Sequence, residues 1–261
     1  MSAPASAAPR GVLVTGTDTG VGKTLVSCAL LAALRARGHR TGVYKPAETG
    51  CPRDAAGRLY GEDVRRLLAA ADTGQSEASA SAALFPVPAA PLVSAEAAGT
   101  AVDPDALVAG FERLAARFPA VWVEGAGGLL VPIAEGFTYA DLAARLRLPV
   151  LVVVGSRLGC LNHALLTLAE LAHRGLPILG YVVNELPPAA GAGTAAPESA
   201  PHALATNRAT LARFAHAPDL GALPAVPAHA CSDLGHLAAL AERSLCVTDV
   251  ERALAGAERA A

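Results

Sequence analysis

The residue types best suited to chemistry fall in a few short clusters, and the densest is Gly16-Thr-Asp-Thr-Gly-Val-Gly-Lys-Thr24. It follows the apolar run Val12–Val14 and precedes a stretch with helical spacing. Glycines at 16, 20 and 22 let the backbone turn its N–H groups inward to cradle phosphate oxygens, and the positive end of the following helix adds to that field. In such a loop Lys23 reaches the outer phosphates and the Thr24 hydroxyl holds Mg²⁺. The spacing departs from the strict GxxxxGK[ST] pattern, because Thr17 stands where the first glycine belongs.

Four further clusters follow. Tyr44-Lys45-Pro46-Ala47-Glu48-Thr49-Gly50 puts a lysine at the end of an apolar run and then a shaped turn, so Lys45 is either a ligand-side cation or a solvated surface lysine. Val121-Trp-Val-Glu124-Gly-Ala-Gly-Gly128 ends an apolar run in a carboxylate, the place from which P-loop enzymes complete a Mg²⁺ shell. Asp63 is either a second carboxylate for that metal or a helix-start charge. Val154-Gly-Ser-Arg157-Leu-Gly-Cys-Leu-Asn162-His163 opens another helix, where Asn162 is either a cap or a functional group. Val182-Val-Asn184 offers an amide to an adenine edge or to a turn.

The elements that position these clusters show in the apolar pattern. Runs near 12–14, 41–44, 120–123, 150–154 and 178–183 are apolar at consecutive positions, as strands buried on both faces are. Helical spacing covers 23–37, ending at Gly38, then 62–71, 104–117, 162–174 and 207–215. Strands alternating with helices imply an α/β fold of the P-loop NTPase type: a mostly parallel sheet, helices on both faces, and ligands beyond the carboxyl ends of the strands. Residues 73–102 read as a long connection and 187–205 as a flexible insertion. The first ten residues read as a frayed tail without the apolar centre of a signal peptide, leaving 11–261 as one domain.

Composition agrees with a packed core: 52% of residues are apolar and 17% charged. A net charge of -2 supplies no basic field for nucleic acid or an anionic membrane, and no apolar run is long enough to span one. Five cysteines without a CxxC pair suit a reducing cytosol and argue against zinc.

In order and wording, GTDTGVGKT, YKPAETG, VEGAGG, VVGSRLGCLNH and VVN resemble the dethiobiotin synthetase family, across roughly residues 11–228. Thr17, odd for a generic P-loop, belongs to the family pattern. The resemblance implies that 7,8-diaminopelargonate, CO₂ and MgATP give dethiobiotin, ADP and phosphate in a cytoplasmic homodimer. Lys23 and Lys45 would be catalytic. Gly20, Val21, Gly22, Lys23, Thr24, Leu25, Gly125, Ala126, Gly127, Asn184 and Pro224 would bind ATP, the last from a Gly221–Pro224 turn. Thr24, Asp63 and Glu124 would hold Mg²⁺. Thr19, Thr49, Gly159 and Asn162 would bind the diamine, with the 158–163 segment reaching across the dimer interface. A cobyrinate-type amidotransferase would need a glutaminase portion for which the chain has no room. A partitioning-type nucleotide switch typically carries a further lysine early in the loop, where this chain has Thr17, Asp18 and Thr19.

Overall fold

A computed structural model describes residues 10–186 and 200–256, side chains of 200–205 excepted. In chain order the first half runs β1 Gly11–Gly16, α1 Lys23–Ala36, β2 Thr41–Thr49, α2 Glu62–Ala71, α3 Glu77–Ala80, β3 Ser81–Phe85, α4 Pro91–Ala97, α5 Pro104–Ala115 and β4 Ala120–Gly128. The hairpin β5 Pro132–Ala134 and β6 Phe137–Thr138 leads into α6 Tyr139–Leu146. Then come β7 Val150–Ser156, α7 Cys160–His173, β8 Ile178–Glu185, α8 Ala200–Phe214, β9 Asp219–Leu223, α9 Leu234–Ser244 and α10 Val247–Leu254.

Seven strands form one sheet in the order β3-β2-β4-β1-β7-β8-β9. Every pairing in it is parallel. Alternate strand residues feed two cores. Val12, Val14, Trp122, Val153 and Val182 face one side with the buried faces of α1, α2, α9 and α10. Leu13, Val121, Val123, Val152 and Tyr181 face the other with α5, α6, α7 and Leu211 of α8. Burial on both faces explains why these strands are apolar throughout rather than alternating. The five expected strands are all present, and the chain reverses direction across the sheet at β1, the crevice position where open α/β sheets take ligands.

Three expectations are corrected. Residues 73–102 are not a plain connection: they hold α3, the edge strand β3 and α4. Ser81-Ala-Ala-Leu-Phe85 has weak strand propensity, and pairing with β2 from Lys45 to Thr49 overrides it. Gly221–Leu223 lies in β9 rather than a turn, with Pro224 just past its carboxyl end. The helix expected from 207 begins at Ala200, since its alanine-rich start favours helix without marking an apolar face. Of the expected tail, residues 1–9 lie outside the described residues, as do 187–199 of the expected insertion; its last residues, 200–205, are the start of α8 rather than a flexible loop.

Candidate active site

The sheet splits where the site lies. β2 pairs with β4 only as far as Tyr44 opposite Val123, and from Lys45 onward pairs with β3 instead. The next residues of the parted strands are Lys45 and Glu124, whose side chains meet across the split with Lys45 Nζ 2.9 Å from Glu124 Oε1. Glu124 is fully buried, and three donors satisfy it: Lys45, Thr24 Oγ1 at 2.8 Å and Ser27 Oγ at 2.6 Å. Lys45 Nζ also donates to Asp63 Oδ2 at 2.5 Å. Burial works against the Lys45 charge, but Glu124 and Asp63 outweigh it and raise its pKa. Burial likewise opposes ionisation of Asp63, yet the Lys45 ammonium holds that carboxyl below its ordinary range.

Beside this network runs the loop after β1. Gly20 and Gly22 have φ of 74° and 86°, and Gly22 is the N-cap of α1. A Cβ on Gly22 would stand 2.1 Å from Asn184 Nδ2, so glycine is required there twice over. No side chain caps α1, which leaves the N–H groups of its first turn free to meet an anion. Lys23 Nζ donates to the Asp18 carbonyl at 3.2 Å. Burial, then repulsion from Lys45, pushes the Lys23 pKa down to about 8. Asn184, at the end of β8, donates from Nδ2 to the Val21 carbonyl at 2.9 Å, while its Oδ1 is buried without a partner.

A cleft of 620 Å³ joins these parts. Of the residues singled out from the sequence, Thr19, Gly20, Gly22, Lys23, Thr24, Leu25, Lys45, Thr49, Asp63, Ala126 and Gly127 line it. Val21, Glu124 and Gly125 are buried beneath that surface. Asn184 is level with Leu223 in the β8–β9 register, which sets Pro224 at the same sheet end. Gly159 and Asn162 stand apart on the exposed start of α7. Gly159, not Asn162, is the N-cap there, with φ of 90°.

Sequence reading missed Glu48, Arg66, Val131 and the 88–91 segment, which also line the cleft, and Ser27 beneath it. Glu48 accepts hydrogen bonds from the backbone N–H groups of Asp63 at 2.9 Å and Val64 at 3.1 Å, so it anchors the start of α2 and with it Asp63. A Cβ on Gly61 would lie 2.3 Å from Glu48 Oε2, so glycine makes room for that anchor. A hydrophilic residue inside a strand was the available signal for Glu48. No group of three His, Cys, Asp or Glu side chains that could by itself hold a metal ion is found among the described residues. Two carboxylates and the Thr24 hydroxyl do converge, and such a set of few hard oxygens fits Mg²⁺, which keeps several waters.

A phosphate-cradling helix start at the switch point of a parallel sheet, with two lysines and two carboxylates beside it, defines a P-loop nucleotide-binding protein. Residues 10–230 match the family described as an AAA domain. The chain is 44% identical over 220 residues to the ATP-dependent dethiobiotin synthetase BioD of Anaeromyxobacter dehalogenans, covering 84% of this chain and 91% of that one. It is 42% identical over 214 residues to the ATP-dependent dethiobiotin synthetase BioD of Ralstonia nicotianae, covering 82% and 88%. The chain belongs to the ATP-dependent dethiobiotin synthetase family. Among solved structures, the MinC:MinD cell division complex of Aquifex aeolicus aligns with TM-score 0.53 over 97% of this chain and 98% of that one, at 14% identity, a likeness of fold alone.

Proposed function

We propose that this chain closes the ureido ring of dethiobiotin from 7,8-diaminopelargonate and CO₂, with ATP converted to ADP and phosphate. One observation carries the reading: in a single cleft, a buried ammonium, Lys45, sits between Asp63 and Glu124 beside the phosphate-loop lysine. One amine of the substrate adds to CO₂ and loses a proton, giving a carbamate. A carbamate oxygen attacks the γ-phosphorus and ADP leaves. The second amine attacks the carbonyl carbon, the ring closes, and phosphate departs with the remaining proton lost to solvent.

This chain's task is to hold two anions, carbamate and triphosphate, in contact. Lys23 and the N–H groups of α1 take the outer phosphates, and Lys45 approaches from the next strand, where the carbamate must lie. Mg²⁺, held by Thr24, Asp63 and Glu124, would neutralise phosphate charge. The free Asn184 Oδ1 suits the adenine amino group, with Pro224 at the same edge. Thr19 and Thr49 supply hydroxyls to the diamine. The start of α7 would serve a second copy: Asn162 and Gly159 are exposed there, and Leu158 is 80% and Leu166 62% exposed, which supports a homodimer. Among the described residues no helix is long and apolar enough to cross a membrane, in keeping with a cytoplasmic enzyme.

The test is phosphate release from ATP with diaminopelargonate, with bicarbonate, and with both. Stimulation by both together, matched by dethiobiotin formed, is expected. Release that ignores both would instead mark a nucleotide switch on the same fold.

A further inference from the structure

Arg65 and Arg66 are neighbours on α2 with different surroundings. Arg65 is engaged: it pairs with Glu77 at 2.9 Å and lies over the Tyr60 ring, 3.8 Å from the centroid. Arg66 lines the cleft, is exposed, and makes no hydrogen bond or ion pair among the described residues. The other cations of the cleft are already committed. Lys45 donates to Asp63 and Glu124, and Lys23 donates to the Asp18 carbonyl. Glu48 is engaged with the start of α2, and no contact joins it to Arg66 among the described residues.

The placement of Arg66 is fixed by its helix. Glu48 pins the first turn of α2, and Leu67 and Ala70 pack in the same core as the buried face of α1. Arg66 follows Asp63 by three residues, which sets both on one side of the helix. Leu25, directly after Thr24 on α1, lines the same cleft. Arg66 therefore stands by the first turn of α1, with the Asp63 carboxylate between it and Lys45.

We propose that Arg66 binds the phosphate chain of the nucleotide, reaching over it from α2 while the loop after β1 holds it from below. The inference rests on the nucleotide reading of the cleft and adds a residue to it. A triphosphate brings more negative charge than Lys23 and the helix start offset, and a guanidinium fork can take two phosphate oxygens at once. The carbamate is a poorer partner, because Asp63 separates Arg66 from the Lys45 side.

The experiment is calorimetric titration of ATP and ADP, with Mg²⁺, into the full chain and into the Arg66→Ala, Arg66→Lys, Arg65→Ala and Lys23→Ala variants. Arg66 is exposed and alanine favours helix, so Arg66→Ala is expected to fold. It should weaken both nucleotides by about tenfold or more and raise KM for ATP, leaving KM for the diamine unchanged. Arg66→Lys should recover part of the affinity, and the deficit should shrink in high salt. Arg65→Ala should stay within about twofold of the parent, since it loses only a surface pair. The inference is overturned if Arg66→Ala binds nucleotide like the parent while Lys23→Ala does not. It is also overturned if Arg65→Ala loses as much, which would reveal an effect of helix stability. If Lys23→Ala also binds like the parent, the nucleotide assignment of the cleft fails first and takes Arg66 with it.

Discussion

The sheet split between β2 and β4 and the start of α7 both lie at the carboxyl ends of strands of the same sheet, yet they are built in opposite ways. At the split the charges are buried and paired: Glu124 has three donors and Lys45 two carboxylates. At the start of α7 Leu158 is 80% exposed and Asn162 is exposed beside it. An ion pair, Arg157 with Asp18, ties the second region to the phosphate loop. The contrast separates two tasks. Phosphate chemistry needs groups fixed before the substrate arrives, because reorganising charge during reaction is costly. A helix start that leaves Leu158 and Asn162 exposed is suited to being completed by another chain.

The sharpest way to break the comparison is at Lys45. Lys45→Gln keeps similar reach but removes the charge between Asp63 and Glu124. Turnover should fall by about a hundredfold or more, with ATP affinity changed only severalfold, the mark of a contact made along the reaction path. The same change leaves buried Glu124 without its cation, and stability should drop by up to ~3–5 kcal/mol, less to the extent that water reaches the one-third-exposed Asp63. Dethiobiotin formation, nucleotide calorimetry and thermal melts read the three effects. ATP affinity collapsing in step with turnover would make Lys45 an ordinary nucleotide contact.

A smaller effect is expected at the open end. Leu158→Asp places a charge on the most exposed large apolar side chain described. It should shift sedimentation from dimer to monomer and raise KM for the diamine about tenfold, with ATP affinity preserved. A variant that stays dimeric with a normal KM would remove the α7 start from the substrate site and dissolve the contrast between the two regions.

How much of this was legible in the sequence follows the same division. The phosphate loop, Lys45 and Glu124 show because glycine, lysine and glutamate at the ends of apolar runs have few structural reasons to be there. Their mutual contact does not show, since it depends on β2 leaving β4 at Tyr44 and pairing with β3 instead. That partner strand was itself invisible, being short, alanine-rich and at the sheet edge. Arg65 and Arg66 are equally polar neighbours on one helix, and only the packing of Val64 and Leu67 decides which of them faces the cleft. Ser27 lies within the apolar face of α1, and nothing in its local sequence sets its hydroxyl against Glu124.

The smallest effect concerns protons at the closed end. Burial and Lys45 lower the Lys23 pKa from the ordinary 10.5 to about 8. A depressed lysine pKa means the folded protein holds fewer protons than the unfolded chain between those values, so Lys23 favours folding as pH rises through that window. Nucleotide binding acts in the other direction. The triphosphate favours the ammonium and raises the pKa again, so binding above pH 8 must draw in a proton. At pH 8.5 roughly three quarters of Lys23 is neutral in the free protein, so uptake of about 0.7 proton and an affinity about fourfold weaker than near neutrality are expected. ATP itself is fully ionised at that pH, and the buried Cys28 thiol is pushed up to about 12, so neither contributes. Calorimetry in two buffers of different ionisation enthalpy measures the uptake directly, and Lys23→Met should abolish it. If the parent takes up no proton at pH 8.5, Lys23 is already fully charged before ATP arrives. The closed region would then be prepared for phosphate without any cost from the neighbouring Lys45.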